Sequence, residues 1–206
     1  MNDMDLKRLV GDADVQSRSA AAGFENAARD RGLVDVAVSE MDSPVGRLLV
    51  AITKRGVARI AFEFEDRDVV LEELAIGLSP RVLESARATD ALRRELDEYF
   101  EGRRHVFDTS PDLSLARGFR AETLRATARI PYGAVRTYGQ LAVDVGRPGA
   151  ARAIGNAVGS NPVPIVVPCH RVLRSGGALG GYGGGIERKI ALLDIEGVTG
   201  VRPPRP

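Results

Sequence analysis

The first half of the chain has the hydrophobic pattern of β-strands. Apolar residues alternate with others at Val34, Val36 and Val38, and two apolar runs, Leu48–Thr53 and Val57–Phe64, follow after turn residues. Alternation with a period of two is typical of strands that bury one face. The pattern therefore predicts an antiparallel sheet of three short strands joined by tight turns.

Helical spacing follows these strands. Asp68–Leu78 and Thr89–Phe100 carry apolar residues at intervals of three and four, and a further strand is considered near Val106-Phe107. Residues 33–107 are therefore expected to form a small α/β domain. Upstream, residues 1–32 are expected to be an extension that is disordered or loosely helical.

The second half is predicted to be mostly helical. After a linker at 108–116, a domain is expected at 117–200 and a tail at 201–206. Its expected helices are Ala116–Ile130, Tyr138–Val145 with Thr137 as N-cap, Ala150–Val158 and Ile186–Leu193. The second and third helices, with a glycine-containing turn between them, form a helix-turn-helix pattern. The whole chain is thus of the α/β class, with an N-terminal sheet domain and a helical C-terminal domain.

Charge is divided unevenly along the chain. Residues 117–206 hold 13 Lys and Arg against 5 Asp and Glu, a net charge of +8, and the remainder holds 16 against 23, a net charge of −7. This asymmetry indicates either a polyanion partner for the basic half or an ordinary mixed surface. The N-terminus lacks the apolar core of a signal peptide and no run is long enough to span a membrane. We expect a cytoplasmic protein with no membrane partner.

Cys169 is the only cysteine, which excludes an intrachain disulfide. One Cys and two His fall short of the four ligands of a usual zinc site, so neither a metal nor a cofactor is expected. A lone cysteine in an apolar segment is usually inert, but here the sequence continues with His170 and Arg171, a base and a positive charge that favour a thiolate. Adjacent strand residues face opposite ways, so the His must act through a turn or a water.

Two glycine-rich features lie near Cys169. Residues 176–185 are mostly glycine without the Lys-Ser/Thr of a phosphate loop, which indicates either a backbone that approaches a flat ligand or a flexible surface loop. The predicted third helix carries small residues around Arg152, a composition that suits tight internal packing or entry into a DNA groove.

The sequence resembles the O6-alkylguanine-DNA alkyltransferases, also called methylated-DNA–protein-cysteine methyltransferases. The likeness is close over 119–197 and looser over 33–105. The matching motifs are Ile130-Pro131-Tyr132-Gly133, Thr137-Tyr138-Gly139-Gln140-Leu141-Ala142, Gly149-Ala150-Ala151-Arg152-Ala153, Asn161-Pro162, Pro168-Cys169-His170-Arg171-Val172, Tyr182-Gly183-Gly184-Gly185 and Glu196-Gly197.

The resemblance implies repair of double-stranded DNA carrying O6-alkylguanine, with the alkyl group moved irreversibly to Cys169, once per molecule. His170 would take the proton through a water, Glu196 would orient the His, and Asn161 would brace the active-site turn. Tyr138 would donate a hydrogen bond as guanine leaves and so neutralise charge that develops on the ring. DNA contacts are expected from Arg152, Tyr138, Ala151 and Arg171, and the pocket from Val172, Tyr182 and Gly183.

Two departures from the family pattern keep alternatives open. Thr123-Leu124 stands where an apolar residue and a Trp are usual, and Gly183 where Ser or Ala is common. One alternative is an alkyltransferase-like protein that binds lesions without repairing them, although such proteins lack the acceptor cysteine. The other is a cysteine hydrolase, which leaves the helix-turn-helix without a use. We expect a monomer, and cooperative clustering on DNA is left open.

Overall fold

A computed structural model of the chain describes residues 34–201 and the single upstream residue Gly23. The predicted extension at 1–32 and the tail at 201–206 therefore lie, apart from Gly23 and Val201, outside the described residues. Within the described part, no helix is long and apolar enough to cross a membrane.

The N-terminal sheet is built on the three predicted strands, β1 (Val36–Met41), β2 (Leu48–Thr53) and β3 (Gly56–Phe62). They pair antiparallel in sequence order. A fourth strand, β4 (Val82–Glu84), which the sequence did not indicate, pairs parallel to β1. The sheet is therefore mixed rather than purely antiparallel, with the order β3-β2-β1-β4.

Two helices cover this sheet, α1 (Arg67–Gly77) and α2 (Ala86–Phe100). Asp66 caps α1 by accepting hydrogen bonds from two backbone amides, and Ser85 caps α2 by accepting one from the Ala88 amide. These caps place each helix start slightly before the predicted one. The buried faces carry Leu74 on α1 and, on α2, a stripe with the spacing of successive helical turns.

The prediction of a strand near Val106-Phe107 is wrong, because no strand forms there. The Phe107 ring instead packs 5.5 Å from the ring of Tyr99, centroid to centroid. The predicted linker is also held in place: Pro111 forms a bridge with Val57, and the Asp112 carboxylate accepts a 2.6 Å hydrogen bond from Thr53. These contacts fix the segment along β3.

The C-terminal half contains four helices and two short parallel strands within the described residues. They are α3 (Gly118–Thr127), β5 (Arg136–Thr137), α4 (Tyr138–Asp144), α5 (Ala151–Gly159), β6 (Val172–Leu173) and α6 (Ile186–Ile195). Helices α4 and α5 pack against each other as the predicted helix-turn-helix. Thr137 caps α4 as predicted, and Gln140 completes a capping box by accepting from the Thr137 amide.

One apolar core joins the two halves. Leu96 and Tyr99 of α2 belong to the same buried cluster as Ile165 and Leu192 from the C-terminal half. The backbone also connects the halves, since the Ile60 amide of β3 donates a 2.9 Å hydrogen bond to the Pro162 carbonyl. The segment that leads to Cys169 is therefore packed directly against the N-terminal sheet.

Candidate active site

Cys169 begins a single 3-10 turn, Cys169–Arg171, that follows Pro168. The chain at this point is therefore a turn rather than a strand, one of the two possibilities that the sequence left open. Cys169 is only 6% exposed, and His170 is completely buried. The side chains of the motif thus point into the protein.

The loop before the cysteine is braced by Asn161. Its Nδ2 donates to the Val167 carbonyl at 2.8 Å and to Cys169 Sγ at 3.1 Å, and its Oδ1 accepts from the Val163 amide at 3.0 Å. Ile165, within this loop, has a φ of 74°, a left-handed conformation that costs a β-branched residue about 1–3 kcal/mol. Full burial of Ile165 in the shared core holds it there.

Glu196 is the centre of a buried hydrogen-bond network. Its Oε1 accepts from His170 Nε2 at 2.7 Å, and the Arg171 guanidinium donates to both carboxylate oxygens at 2.8 Å. Tyr99, from the N-terminal half, donates its hydroxyl to Oε1 at 2.7 Å, and the Gly133 amide donates to Oε2 at 3.2 Å. Helix α6 ends beside this residue, so one carboxylate joins α2, α6 and the Cys-His-Arg turn.

This network sets the protonation of His170. Burial alone would raise the pKa of Glu196, but hydrogen bonds from His170 and Arg171 outweigh it and lower the pKa to about 2. Burial lowers the pKa of His170 despite the opposing effect of Glu196, so the imidazole is neutral. Because a carboxylate can only accept, Nε2 carries the ring proton. His170 Nδ1 is then a proton acceptor, and it is buried without a hydrogen-bond partner in the described residues.

The cysteine itself is held as a thiol. Burial raises the pKa of Cys169 to about 11, while the Asn161 hydrogen bond and the charge of Lys189 act in the opposite direction. The sequence led us to expect that Arg171 favours a thiolate. The guanidinium is instead engaged by Glu196, so its charge stabilises the carboxylate.

Arg171 also differs from its predicted place on the DNA surface. Its side chain is 7% exposed, and besides Glu196 it donates to the Ile130 carbonyl at 2.5 Å. A guanidinium that is buried and paired in this way cannot reach a phosphate without breaking the network. The structure therefore places Arg171 in the support of Glu196.

Two buried polar residues of the site were not predicted from the sequence. Lys189 of α6 is fully buried, donates to the Val172 carbonyl at 2.7 Å and has a pKa lowered by burial to about 8. Tyr99 is the other. Each stands three residues from a buried leucine of its own helix, Leu192 and Leu96, and this spacing on the apolar face was the available signal.

A cavity of 660 Å³ opens over the face of α5, and we call it the helix-face cavity. Tyr138, Ala151, Arg152, Tyr182 and Gly183 line it, so five of the predicted site residues are brought together there. The full lining is Tyr138, Gly139, Ala151, Arg152, Gly155, Asn156, Gly159, Arg174, Ser175, Gly181, Tyr182 and Gly183.

Cys169 lines a second cavity of 210 Å³, the interdomain cavity, between Asn161 and the N-terminal residues Phe62 and Phe64. Tyr182 and Gly183 line both cavities and so lie between the helix face and the sulfur.

Missing side chains at two glycines make room for the tyrosines of the site. A Cβ on Gly180 would lie 2.4 Å from the Tyr138 hydroxyl, and one on Gly184 would lie 2.6 Å from the Tyr182 ring. Gly183, the departure from the family pattern, is less restricted, because its Cβ would meet the Gly159 carbonyl at 3.2 Å. In residues 34–201, no group of three or more His, Cys, Asp or Glu is placed to bind a metal.

The fold and site together define a two-part protein with a buried thiol behind a helix-turn-helix face. Residues 118–198 match the DNA-binding domain of 6-O-methylguanine DNA methyltransferase, and residues 36–113 match the ribonuclease-like domain of that protein. Both halves of the described chain are therefore accounted for by one family.

Individual relatives agree. A methylated-DNA–protein-cysteine methyltransferase of Mycobacterium leprae is 40% identical over 156 residues, which are 76% of this chain and 89% of that protein. One of Shigella flexneri is 44% identical over 135 residues, 66% of this chain and 79% of that protein. The crystal structure of Mycobacterium tuberculosis O6-methylguanine methyltransferase superimposes with a TM-score of 0.67 at 38% identity, covering 78% of this chain and 92% of that chain. A structure of the M. tuberculosis protein in complex with DNA gives 0.66 at 37% identity, covering 79% and 92%. This chain belongs to the 6-O-methylguanine DNA methyltransferase family.

Proposed function

We propose that the protein repairs double-stranded DNA by moving an alkyl group from O6 of guanine to Cys169 Sγ, once per molecule. The observation that carries this proposal is the 2.7 Å contact between His170 Nε2 and the Glu196 carboxylate, one residue from a thiol that lines a cavity. Relatives named as methylated-DNA–protein-cysteine methyltransferases support the same reaction.

In the reaction, the Cys169 thiol loses its proton and the sulfur displaces guanine from the alkyl carbon. The free Nδ1 of His170 is the acceptor for this proton, through a bridging water, and Glu196 stabilises the imidazolium that results. A new S–C bond forms as the C–O6 bond breaks, and the electron pair of that bond stays on the guanine. Because the thioether is stable, the molecule is not regenerated.

The leaving guanine gains negative charge that must be neutralised. Tyr138, which begins α4 at the wall of the helix-face cavity, is the proposed proton donor to the ring. The carbonyls of Cys169 and Val172 are proposed to accept hydrogen bonds from the exocyclic amine, and the Gly183 amide to face O6. The Val172 carbonyl, held by Lys189, keeps one lone pair for this purpose.

The damaged base has to leave the duplex to reach the sulfur. We propose that α5 enters the minor groove, where the small side chain of Ala151 allows close approach and Arg152 fills the space of the extruded nucleotide. Arg152 is exposed near the start of α5. Activity on DNA also supports the cytoplasmic location that the sequence predicts. The domain boundaries that the sequence predicts remain predictions.

The direct test is intact mass after incubation with a duplex that contains one O6-methylguanine. The protein should gain about 14 Da on Cys169, one equivalent and no more, while Cys169→Ser gains nothing. An unmethylated duplex is the control. Tight binding without a mass change would indicate a lesion-binding protein, and turnover beyond one equivalent would indicate a true catalyst. Either result would overturn the proposal.

The role of Arg152 is separable from the chemistry. Arg152→Ala should slow repair in duplex DNA far more than reaction with free O6-benzylguanine, because the free base needs no extrusion. Equal losses on the two substrates would contradict an extrusion role for Arg152.

A further inference from the structure

Arg174 is an exposed arginine that the proposed reaction leaves unassigned. It lines the helix-face cavity together with Arg152, and no Asp or Glu occurs among the lining residues of that cavity. In the described residues, its guanidinium has neither a hydrogen bond nor an ion pair. Two guanidinium groups without a carboxylate partner give this cavity a positive charge that favours the binding of an anion.

The backbone holds Arg174 firmly at this position. Strands β5 and β6 are parallel, and Thr137 of β5 is paired with Leu173 of β6. The next residues along the two strands, Tyr138 and Arg174, therefore leave the sheet at the same end. The Arg174 amide donates to the Ala178 carbonyl at 2.8 Å, and its carbonyl accepts from the Gly177 amide at 3.2 Å. The guanidinium is therefore carried on a fixed loop beside the tyrosine of the site.

The charge of Arg174 reaches the site. It lowers the pKa of Tyr138, against the larger raising effect of burial, and it also lowers the pKa of Lys189. Its guanidinium is thus near the groups that surround a nucleotide in the cavity. The anion that a DNA strand presents beside an extruded nucleotide is the phosphodiester that flanks it.

We infer that Arg174 binds a phosphodiester next to the extruded nucleotide and so holds the strand at the mouth of the helix-face cavity. This inference rests on the proposed function, and it assigns to Arg174 a phosphate contact distinct from the extrusion role of Arg152. Arginine suits the task because its planar fork can donate two hydrogen bonds to one phosphate.

Binding is best measured in a Cys169→Ser background, which holds the lesion duplex without reacting. There, Arg174→Ala should weaken binding about three- to tenfold near physiological salt. The slope of log K against log salt, between about 50 and 200 mM, should fall by about 1. Arg174→Lys should keep the slope, because a lysine still neutralises a phosphate. Arg94→Ala, an exposed arginine of α2 that is paired with Asp90 and does not line the cavity, is the matched control and should change neither quantity.

With Cys169 restored, Arg174→Ala should react with free O6-benzylguanine within about twofold of the unchanged protein. An unchanged salt slope, or the same loss in Arg94→Ala, would overturn the phosphate contact. An equal rate loss on the free base would instead place Arg174 in the chemistry, through Tyr138, and would also overturn it. Failure of methyl transfer with the predicted slope change intact would count against the proposed function alone.

Discussion

The two halves of the molecule differ in how many of their arginines form ion pairs with carboxylates. In the N-terminal half, most arginines lie within 4.0 Å of a carboxylate, namely Arg47, Arg55, Arg59, Arg67, Arg81, Arg94, Arg103 and Arg104. In the described C-terminal half, Arg117, Arg120, Arg125, Arg129, Arg147, Arg152 and Arg174 form no ion pair.

This difference explains how a chain with a net charge of +1 can bind a polyanion. Paired charges cancel at a distance, whereas unpaired charges add to a field that attracts phosphates. Three arginines of the described C-terminal half are paired: Arg136 with Asp144, Arg188 with Glu63, and the buried Arg171 with Glu196, which serves the active site. The lesson is that pairing, rather than the number of arginines, separates the structural half from the DNA-binding half.

The largest effect is expected from Glu196→Gln, which tests the buried pair of Arg171 and Glu196. Removing the carboxylate charge leaves the buried guanidinium of Arg171 unpaired, which should lower the free energy of unfolding by about 3–5 kcal/mol in urea titrations. Alkyl transfer should be lost as well. Glu63→Gln is the control, because its ion pair with Arg188 joins the halves at a half-exposed carboxylate and should cost less than about 1 kcal/mol. Similar small losses in both variants would remove the distinction.

The next effect is a dependence of stability on acid. The folded pKa of Glu196, about 2, lies below its ordinary value of 4.5. Its contribution is therefore complete above pH 4.5 and is lost as the pH falls toward 2, by about 3 kcal/mol. The difference in unfolding free energy between the unchanged protein and Glu196→Gln, measured as a function of pH, reports the loss of this carboxylate charge. A constant difference from pH 5 to pH 2 would contradict the assignment.

Tyr99→Phe tests whether the N-terminal half supports the charge of the other half. Loss of a hydroxyl that donates to the Glu196 carboxylate should cost about 1.5–3 kcal/mol of unfolding free energy. The matched control is Tyr132→Phe, which loses a 2.8 Å hydrogen bond to the neutral Ile195 carbonyl and should cost about 0.5–1.5 kcal/mol. If the control loses as much, the charge on the acceptor is unimportant.

The smallest effect is expected from a paired surface arginine. Arg67→Ala breaks exposed ion pairs with Glu84 and Glu40 and should cost about 0.2–1 kcal/mol. Its affinity for duplex DNA, measured by fluorescence anisotropy, should be unchanged, whereas Arg152→Ala should bind more weakly. A loss of affinity in Arg67→Ala would show that paired arginines also contribute to DNA binding.

Local signals in the sequence predicted most of the fold. Alternation predicted β1 to β3, helical spacing predicted the helices, and Thr137 was predicted as the cap of α4. Each of these depends on residues close together in the chain. Strand β4 was missed because it has three residues and is defined only by its parallel pairing with β1, about 45 residues upstream.

The sequence predicted which residues form the site better than it predicted how they are arranged. The cysteine, the histidine and the late glutamate follow from motifs, but the network around Glu196 joins α2, α6 and the turn at Cys169. Tyr99 is 97 residues from its partner, and no local pattern reports such a contact. The placement of Arg171 was misjudged for the same reason, because its carboxylate partner Glu196 lies 25 residues away in the sequence.

The burial of Cys169 has a consequence for the time before any lesion is met. Peroxide oxidises the thiolate form of cysteine, and oxidation beyond the sulfenic acid is not readily reversed. A sulfur that is 6% exposed and whose pKa is about 11 stays protonated and shielded at neutral pH. The sulfur of the unused molecule is therefore a poor target for peroxide at neutral pH.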